Sequence, residues 1–386
     1  MKGRNVMNKD KKVEEQNIEN IDKQIAELFA TRLTESRKAD EGMLPSEIAL
    51  KCRRYERDFL VNLSEEQGEF EGYERVLFST LFNLSHAYKI TGYGAKTDLA
   101  DKIRNAVEST PNQFPETAVV ACQGIEGANS QIAADKLFRS ANIMYFRTFE
   151  GVFQAVENGL CKYGILPIEN SSFGSVTSVY DLMKNHKFSI VRCIKLQINH
   201  RLMAKPGTKL SDIKEVYSHE QAIGQCSNFL KEHGDIKVTI VENTAVAAKM
   251  VADSDRTDVA AISSPDCASL YNLSILSDSI QNTDHNYTRF ICISKDMQIF
   301  PGASKISMML SLGHTPGSLS DTLVRFSSLG LNLTKLESRP ISGRDFEFMF
   351  YLDVEASVYS DKVIAMLCEL DAQSTEFAFL GSYSEV

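Results

Sequence analysis

The stretch TAVVACQGIEGANSQIAADKLF (117–138) sets the architecture. It opens with a short apolar run rich in Val and Ala, of strand length and ended by Gly. GIEGANS (124–130) is a glycine-bearing turn, and NSQIAADKLF spaces its apolar residues as a helix does. The pattern recurs: YGILPI predicts a strand, SVTSVYDLMKNH a helix and FSIVRCIKLQI another strand. Such alternation predicts an α/β domain over 116–297 with a largely parallel sheet, its ligand sites outside the strands' carboxyl ends. That length accommodates two lobes.

Ahead of this domain, residues 1–110 read as helical. IENIDKQIAELFATRL aligns Ile18, Ile21, Ile25, Leu28, Phe29 and Leu33 on one stripe with charges opposite. EIALKCRRYERDFLVNL and YERVLFSTLFNLSHAYKI keep the helical period without Pro. GYGAKTD and ESTPNQFPET (108–117) collect Gly, Pro and Thr and predict a linker. Behind the domain, 304–386 carries strand SKISMMLSLGH, helix GSLSDTLVRFSSLG, strand LNLTKLESRP, turn ISGRD, strand EFMFYLDVE, helix SDKVIAMLCELDA and strand EFAFLGSY. That is the βαββαβ order of ferredoxin-like domains. The fold class expected is multidomain, all-helical at the N-terminus and α/β thereafter.

Composition narrows the function classes. The 386 residues predict about two or three domains, and 43% hydrophobic with 24% charged residues is ordinary globular usage. A net charge of −9, with no Lys/Arg run interleaved with aromatics, disfavours nucleic acid. No run approaches the ~18 apolar residues of a membrane span, and the first twenty residues lack the apolar core of a secretory leader. Eight cysteines (52, 122, 161, 193, 226, 267, 292, 368) show no CxxC and no ligand-spaced His pair. They read as reduced, mostly buried thiols of a cytoplasmic protein, with no metal and no cofactor expected.

Four polar clusters stand where core residues are the default. GIEGANS is either a tight turn or an anion cradle at a helix N-terminus. PIENSSFGSV (167–176) ends a buried strand in Glu169, Asn170, Ser171 and Ser172; helix capping accounts for one of these better than for four. In YSHEQAIGQC (217–226) Ser218 suits a cap, and Gln225 lies two helical turns on along the same face. DHNYTRFICI (284–293) sets Thr288 and Arg289 at the mouth of an apolar strand.

Together these stretches resemble the prephenate dehydratases of phenylalanine biosynthesis, which implies a central two-lobed α/β domain of the type II periplasmic-binding-protein kind. ENSSFGSV, SHEQAIGQC, NTAVAAKMVA (243–252) and NYTRF carry the resemblance, the last with the family's Thr-Arg-Phe signature at Thr288, Arg289 and Phe290. It implies a pocket holding Asn170, Ser218, Gln225, Thr288 and Glu169, with Arg289, Ser171, Ser175 and Phe290 on the substrate. The C-terminal segment resembles an ACT regulatory domain, with LESRP (336–340) matching its Glu-Ser-Arg-Pro motif. That implies a phenylalanine site at Gly317, Ser318, Leu319, Glu337, Ser338, Arg339 and Pro340, and a homodimer or homotetramer. Ser318 and Ser320 replace the usual Ala and Val.

Prephenate must lose carbon dioxide and a ring hydroxyl, and hydroxide leaves poorly without a hydrogen-bond donor. The ring carboxylate becomes neutral CO2, so a cation on it would stabilise the ground state more than the transition state. The implied site therefore places the neutral Thr288 on the hydroxyl. Thr288 acts there either as a directed donor or as a relay for a proton from Glu169 or a bound water, and Arg289 either holds the side-chain carboxylate or stiffens the strand end.

Residues 14–90 resemble a chorismate mutase domain through IDKQIAELFATR, which implies a mutase-like pocket at Arg32, Glu56 and Ser85. Glu15, Met43, Tyr55 and Lys89 depart from that pattern, where an Arg, the catalytic Lys, a second Arg and a Gln are usual. A rearranging dianion needs cations, so the expectation is a degenerate mutase used for assembly. Arg37, Lys38, Arg53 and Arg54 are the cations that a shifted register would supply. The other functional classes are a bifunctional enzyme and a catalytically silent amino-acid sensor. Arogenate, the amino analogue of prephenate, is the alternative substrate.

Overall fold

The computed structural model describes the backbone of residues 2–39, 45–65, 68–90, 97–313, 317–341, 343–344 and 347–386, and their side chains except at 2–13, 45–50, 53, 64–65, 87 and 90. Met43, Pro316, most of GYGAKTD and the side chain of Arg53 thus lie outside the described residues. Packing divides the chain into two units, 1–100 with 313–332 and 359–373, and 101–312 with 333–358 and 374–386.

The first unit is helical. Lys2–Lys38, Pro45–Glu65 and Glu71–Ile90 contain the three predicted runs, and Ser318–Ser328 and Asp361–Gln373 complete the unit. Rings of Tyr55, Phe59, Phe78 and Phe82 pack together, Phe82 buried at the inner end of the group and Tyr55 exposed at the outer, with Phe59 and Phe78 centroids 4.6 Å apart. Asn83 donates to Asp321 at 2.7 Å. The apolar stripe of the first helix does not enter this core: Ile18, Ile21, Ile25 and Leu28 are all more than half exposed. A further helix, Asp98–Ser109, was hidden by the Gly- and Pro-rich flanks, although Ala100, Ile103 and Ala106 line its buried face at helical spacing.

The second unit holds two sheets. The larger orders its strands Asn332–Pro340, Phe348–Glu355, Lys305–Ser311, Glu376–Glu385, Ser189–Gln197, Tyr287–Ser294, Tyr163–Asn170, Thr117–Gln123 and Ser140–Phe146, with Gly174–Ser175 beside Tyr163–Asn170. The smaller runs Ser274–Ser277, Arg201–Ala204, Val259–Ser263, Glu215–Ser218 and Lys237–Ile240. The expected parallel sheet is in fact mixed. Tyr287–Ser294 returns from the second sheet and enters antiparallel to both neighbours. The chain crosses between the sheets twice, through residues 198–200 and 278–286. These crossovers bond to each other, Ile198 N–H to Asn286 O at 2.8 Å and His200 N–H to the Gln281 side chain at 3.1 Å.

Alternation along Tyr287–Ser294 sends Ile291 and Ile293 into one core and Phe290 and Cys292 into the other. A register jump interrupts it. Arg289 pairs Glu169 but Phe290 pairs Pro167, so Ile168 is a bulged residue. Parity inverts there: Glu169 shares a face with Arg289, and Asn170 shares the opposite face with Thr288.

The last strand closes the larger sheet. Its end runs parallel to Ser189–Gln197 (Ser384 opposite Arg192, Glu385 opposite Cys193). Gly381 lies so near that strand that a Cβ would stand 2.2 Å from Ile190 O, so only glycine fits. Between the two sheets, Gly127 has φ +88°, and a Cβ there would meet Cys267 Sγ at 2.9 Å. GIEGANS is therefore a docking turn. Gly127 N–H is taken by Gln131, and the carbonyls of Glu126 and Gly127 accept from Tyr271 and Cys267.

Candidate active site

A chain of amides joins the two sheets. Asn170, at the end of Tyr163–Asn170, accepts the backbone N–H groups of Ser172 (2.9 Å) and Phe173 (3.1 Å) on its Oδ1. Backbone N–H groups cannot exchange roles, so the amide's orientation is fixed and Nδ2 must donate. It donates to Thr288 Oγ1 at 3.0 Å and Asn286 Oδ1 at 2.8 Å. Asn286 Nδ2 reaches Gln225 Oε1 at 2.8 Å, and His200 Nε2 lies 2.6 Å from the same oxygen. Gln225 ends the helix Glu220–Gln225 of the second sheet's lobe, while His200 and Asn286 sit one on each crossover. Asn170, Asn286, Gln225 and His200 are buried and Thr288 is half-buried. Burial lowers the basicity of His200, and its hydrogen bond with Gln225 opposes that shift.

The Asn170, Thr288 and Gln225 expected in a shared pocket thus lie on one connected chain. Four expectations need correction. Glu169 and Arg289 face the other way, because the bulge at Ile168 turns them there. Arg289 is buried and donates to Asp353 at 2.6 Å, with Glu169 at 3.5 Å. The strand-stiffening role fits this placement and a substrate contact does not. Both oxygens of Glu169 meet cations, Arg289 and Lys335 (2.8 Å), so it is not positioned to relay a proton to Thr288. Ser218 does not cap the following helix; His219 does, accepting from Gln221 N–H. Ser218 is fully buried and donates to Ile262 O at 2.7 Å, tying two strands together. Phe290 is a core residue, 2% exposed.

Ser171 bridges the strand ends, donating to His285 O and accepting Tyr287 N–H. Phe173, 48% exposed, leans on Gly224 of the second lobe, where a Cβ would approach its ring to 3.2 Å. Ser175 joins the LESRP strand instead, donating to Glu337 (2.6 Å) and accepting from Lys335 (2.6 Å). Arg339 forms a two-pronged pair with Asp181 and holds that carboxyl below its ordinary range. Ser338 points to the exposed face of the strand. Arg339 and Pro340 border a cavity of about 960 Å³ that also takes in Arg147 and Lys184. In the helical unit, Gly317 (φ +93°) precedes the helix Ser318–Ser328, and Ser318 donates to Gly313 O; Leu319 is half-buried.

Arg32, Glu56 and Ser85 do line one cavity, of about 360 Å³, with Lys51, Cys52, Tyr55, His86 and Lys89. Arg32 donates to Ser85 and lies over the Phe82 ring. Cys52, Glu56 and His86 place ligand-type atoms within 4.8 Å of one another. His86 already pairs Glu56 at 2.7 Å, and Lys89 donates to Cys52, so a cation fills the place a metal would need.

A family model for prephenate dehydratase matches residues 120–298. The chain is 37% identical over 276 residues to arogenate dehydratase/prephenate dehydratase 2 of Arabidopsis thaliana, a match spanning 68% of this chain and 72% of that one. This chain belongs to the prephenate dehydratase family. Another relative is the bifunctional chorismate mutase/prephenate dehydratase of Escherichia coli K12, 34% identical across 70% of this chain and 71% of that protein. Among solved structures, the prephenate dehydratase of Arthrobacter aurescens in complex with L-Phe superposes with a TM-score of 0.64 at 29% identity, covering 69% of this chain and 89% of that one.

Two members of the chain escaped the sequence reading, Asn286 and His200. Asn286 had a signal: it stands two residues before Thr288, the spacing that puts side chains on one side wherever the chain is extended. His200 had none, lying far from the other motifs until the crossovers bring it in.

Proposed function

We propose that the chain converts prephenate to phenylpyruvate, carbon dioxide and water, as a carbon–oxygen lyase of phenylalanine biosynthesis. One observation carries the mechanism. Asn170 donates to Thr288 Oγ1, and among the described residues the threonine's own hydrogen has no acceptor. That O–H is left to point at the departing hydroxyl, and the bond it receives strengthens it as a donor. The C–CO2 bond breaks, its electron pair enters the ring, and the C–O bond at the far carbon releases hydroxide into the Thr288 hydrogen bond. Hydroxide becomes water on taking one proton from solvent. Every side chain of the amide chain is uncharged, so no cation tethers the carboxylate that must leave.

Family relatives named as arogenate dehydratases favour a second reading, arogenate to phenylalanine through the same elimination. Purified protein offered prephenate, arogenate and chorismate, with ultraviolet or chromatographic detection of products, decides the substrate. No turnover of prephenate or arogenate removes this function. A Thr288→Ala variant within about tenfold of wild type would show that Thr288 is not the catalytic donor.

For organisation, the reading keeps the segments 1–110, 116–297 and 304–386, the last an ACT domain that senses phenylalanine between subunits of a dimer or tetramer. Support comes from the bonds of Glu337 and Arg339 to Ser175 and Asp181, and of Lys335 to Glu169, beside Asn170. A bound effector at that strand would be felt at the strand end that carries the site. The exposed stripe Ile18, Ile21, Ile25 and Leu28 gives the helical segment a surface for self-association. We assign it a degenerate mutase, since Tyr55 brings a ring into the cavity where a cation is required. Seven buried cysteines suit a reducing cytoplasm.

A further inference from the structure

We infer that His200 is a positioning residue for the elimination: from the first crossover it donates Nε2–H to Gln225 and so holds the last amide of the chain in the direction that turns its Nε2 toward a ligand. The inference rests on the dehydratase reading and extends it to a residue outside the motifs.

The directions follow from bonds that cannot reverse. Ser172 and Phe173 N–H groups force Asn170 Oδ1 to accept, so its Nδ2 donates and Asn286 Oδ1 must accept. Asn286 Nδ2 then donates to Gln225 Oε1. An oxygen cannot donate, so at 2.6 Å His200 Nε2 carries the hydrogen. Gln225 is thereby gripped through its oxygen from both crossovers, and its Nε2 is turned to donate. One of its hydrogens leans toward Asn286 Oδ1 at 3.4 Å, and the other is left for a ligand. Without the His200 donor, the Gln225 amide has one anchor instead of two and can flip to present an acceptor.

His200 differs from an ordinary core histidine in two respects. The residue is 3% exposed, and its buried Nδ1 has no hydrogen-bond partner among the described residues. Its backbone N–H is held by Gln281 of the second crossover, which fixes the ring's approach. A proton added at Nδ1 would be a buried charge without an acceptor. Burial and Gln225 are what act on the ring, and among the described residues no charged side chain joins them. The neighbouring Arg201 is paired with Asp278.

Two variants and one spectrum test this. His200→Leu removes the donor and is expected to lower kcat about 30- to 100-fold with KM within about threefold. His200→Gln puts an amide N–H near the Nε2 position and cannot be charged. It is expected to recover kcat to within about fivefold of wild type and to flatten the acid side of the kcat profile. Nitrogen-15 histidine spectra of the wild-type chain, with His200 assigned by its loss in the glutamine variant, are expected to show a neutral Nε2–H ring that resists protonation below pH 6.5. An Nδ1–H ring, or titration at the ordinary value, overturns the inference. So do two folded variants equally slow, or two as fast as wild type. If the wild-type chain turns over neither prephenate nor arogenate, the function falls, and the spectrum still judges the ring assignment alone.

Discussion

The amide chain between the two lobes and the cavity of the helical unit are both polar, and they are polar in opposite ways. The first is neutral from Thr288 through Asn170, Asn286 and Gln225 to His200, each member joined to the next. The second is charged, with Arg32, Lys51 and Lys89 facing Glu35 and Glu56 around half-open space. An elimination that sheds a carboxylate as a neutral gas needs directed donors without a tethering charge, whereas a rearranging dianion needs cations on both ends. A similar division runs across one strand: Thr288 faces the amides, and Arg289, one residue on, faces Asp353.

Experiments that break this contrast can be ranked by expected size. Thr288→Ala should lower kcat about a thousandfold or more with the thermal midpoint barely moved, measured on prephenate or arogenate. Arg289→Met should do the reverse. Stranding Asp353 costs stability, about 3–5 kcal/mol by denaturant titration, while KM stays within about threefold. A KM raised a hundredfold at unchanged stability would instead place Arg289 on the substrate. Asn286→Leu cuts the chain and leaves Asn170 and Gln225 each short of a partner, for a loss of about 1–3 kcal/mol and a slower kcat.

The pH dependence of stability is a smaller effect and has a definite sign. His200 is less basic folded than unfolded, so below its ordinary value of 6.5 the unfolded chain binds more protons. Its contribution is complete above 6.5 and declines as the pH falls through that value. Glu215 acts lower down. Thr239, Lys237 and Arg256 hold it at about 2, so its contribution is present above 4.5 and lost toward 2. Urea midpoints should therefore fall from about pH 7.5 to 5 and again below about 4.5; a flat profile would contradict the buried ring. Least of all, a paired Ile21→Ser, Ile25→Ser change should weaken self-association in sedimentation while leaving kcat within about twofold.

What the sequence disclosed was whatever has a period or a local motif. Apolar runs located most strands of the larger sheet but none of the smaller one, whose strands are only four or five residues long, and NYTRF and ENSSFGSV brought Thr288 and Asn170 together. What it hid depends on counts between distant strands. Pairwise alternation puts Glu169 on the substrate side, and only the extra residue at Ile168 turns it away. The burial of Arg289 follows from the C-terminal Asp353, a partner sixty-four positions on with no spacing rule to announce it. The helix Asp98–Ser109 was masked by its flanks, and the stripe on the first helix carried no sign of its exposure, because amphipathic spacing is the same for an internal face and an intermolecular one.

The glycine at position 381 has a consequence for biosynthesis. The strand it belongs to is the last in the chain, yet it lies inside the larger sheet with Lys305–Ser311 on one side and Ser189–Gln197 on the other. The ribosome therefore makes the central piece after the pieces it separates, and until residues 376–386 emerge two raw strand edges wait in the nascent chain. A bulkier residue at 381 would prolong that vulnerable interval, so its damage should surface as insoluble protein at the moment of synthesis before it surfaces as a slow enzyme.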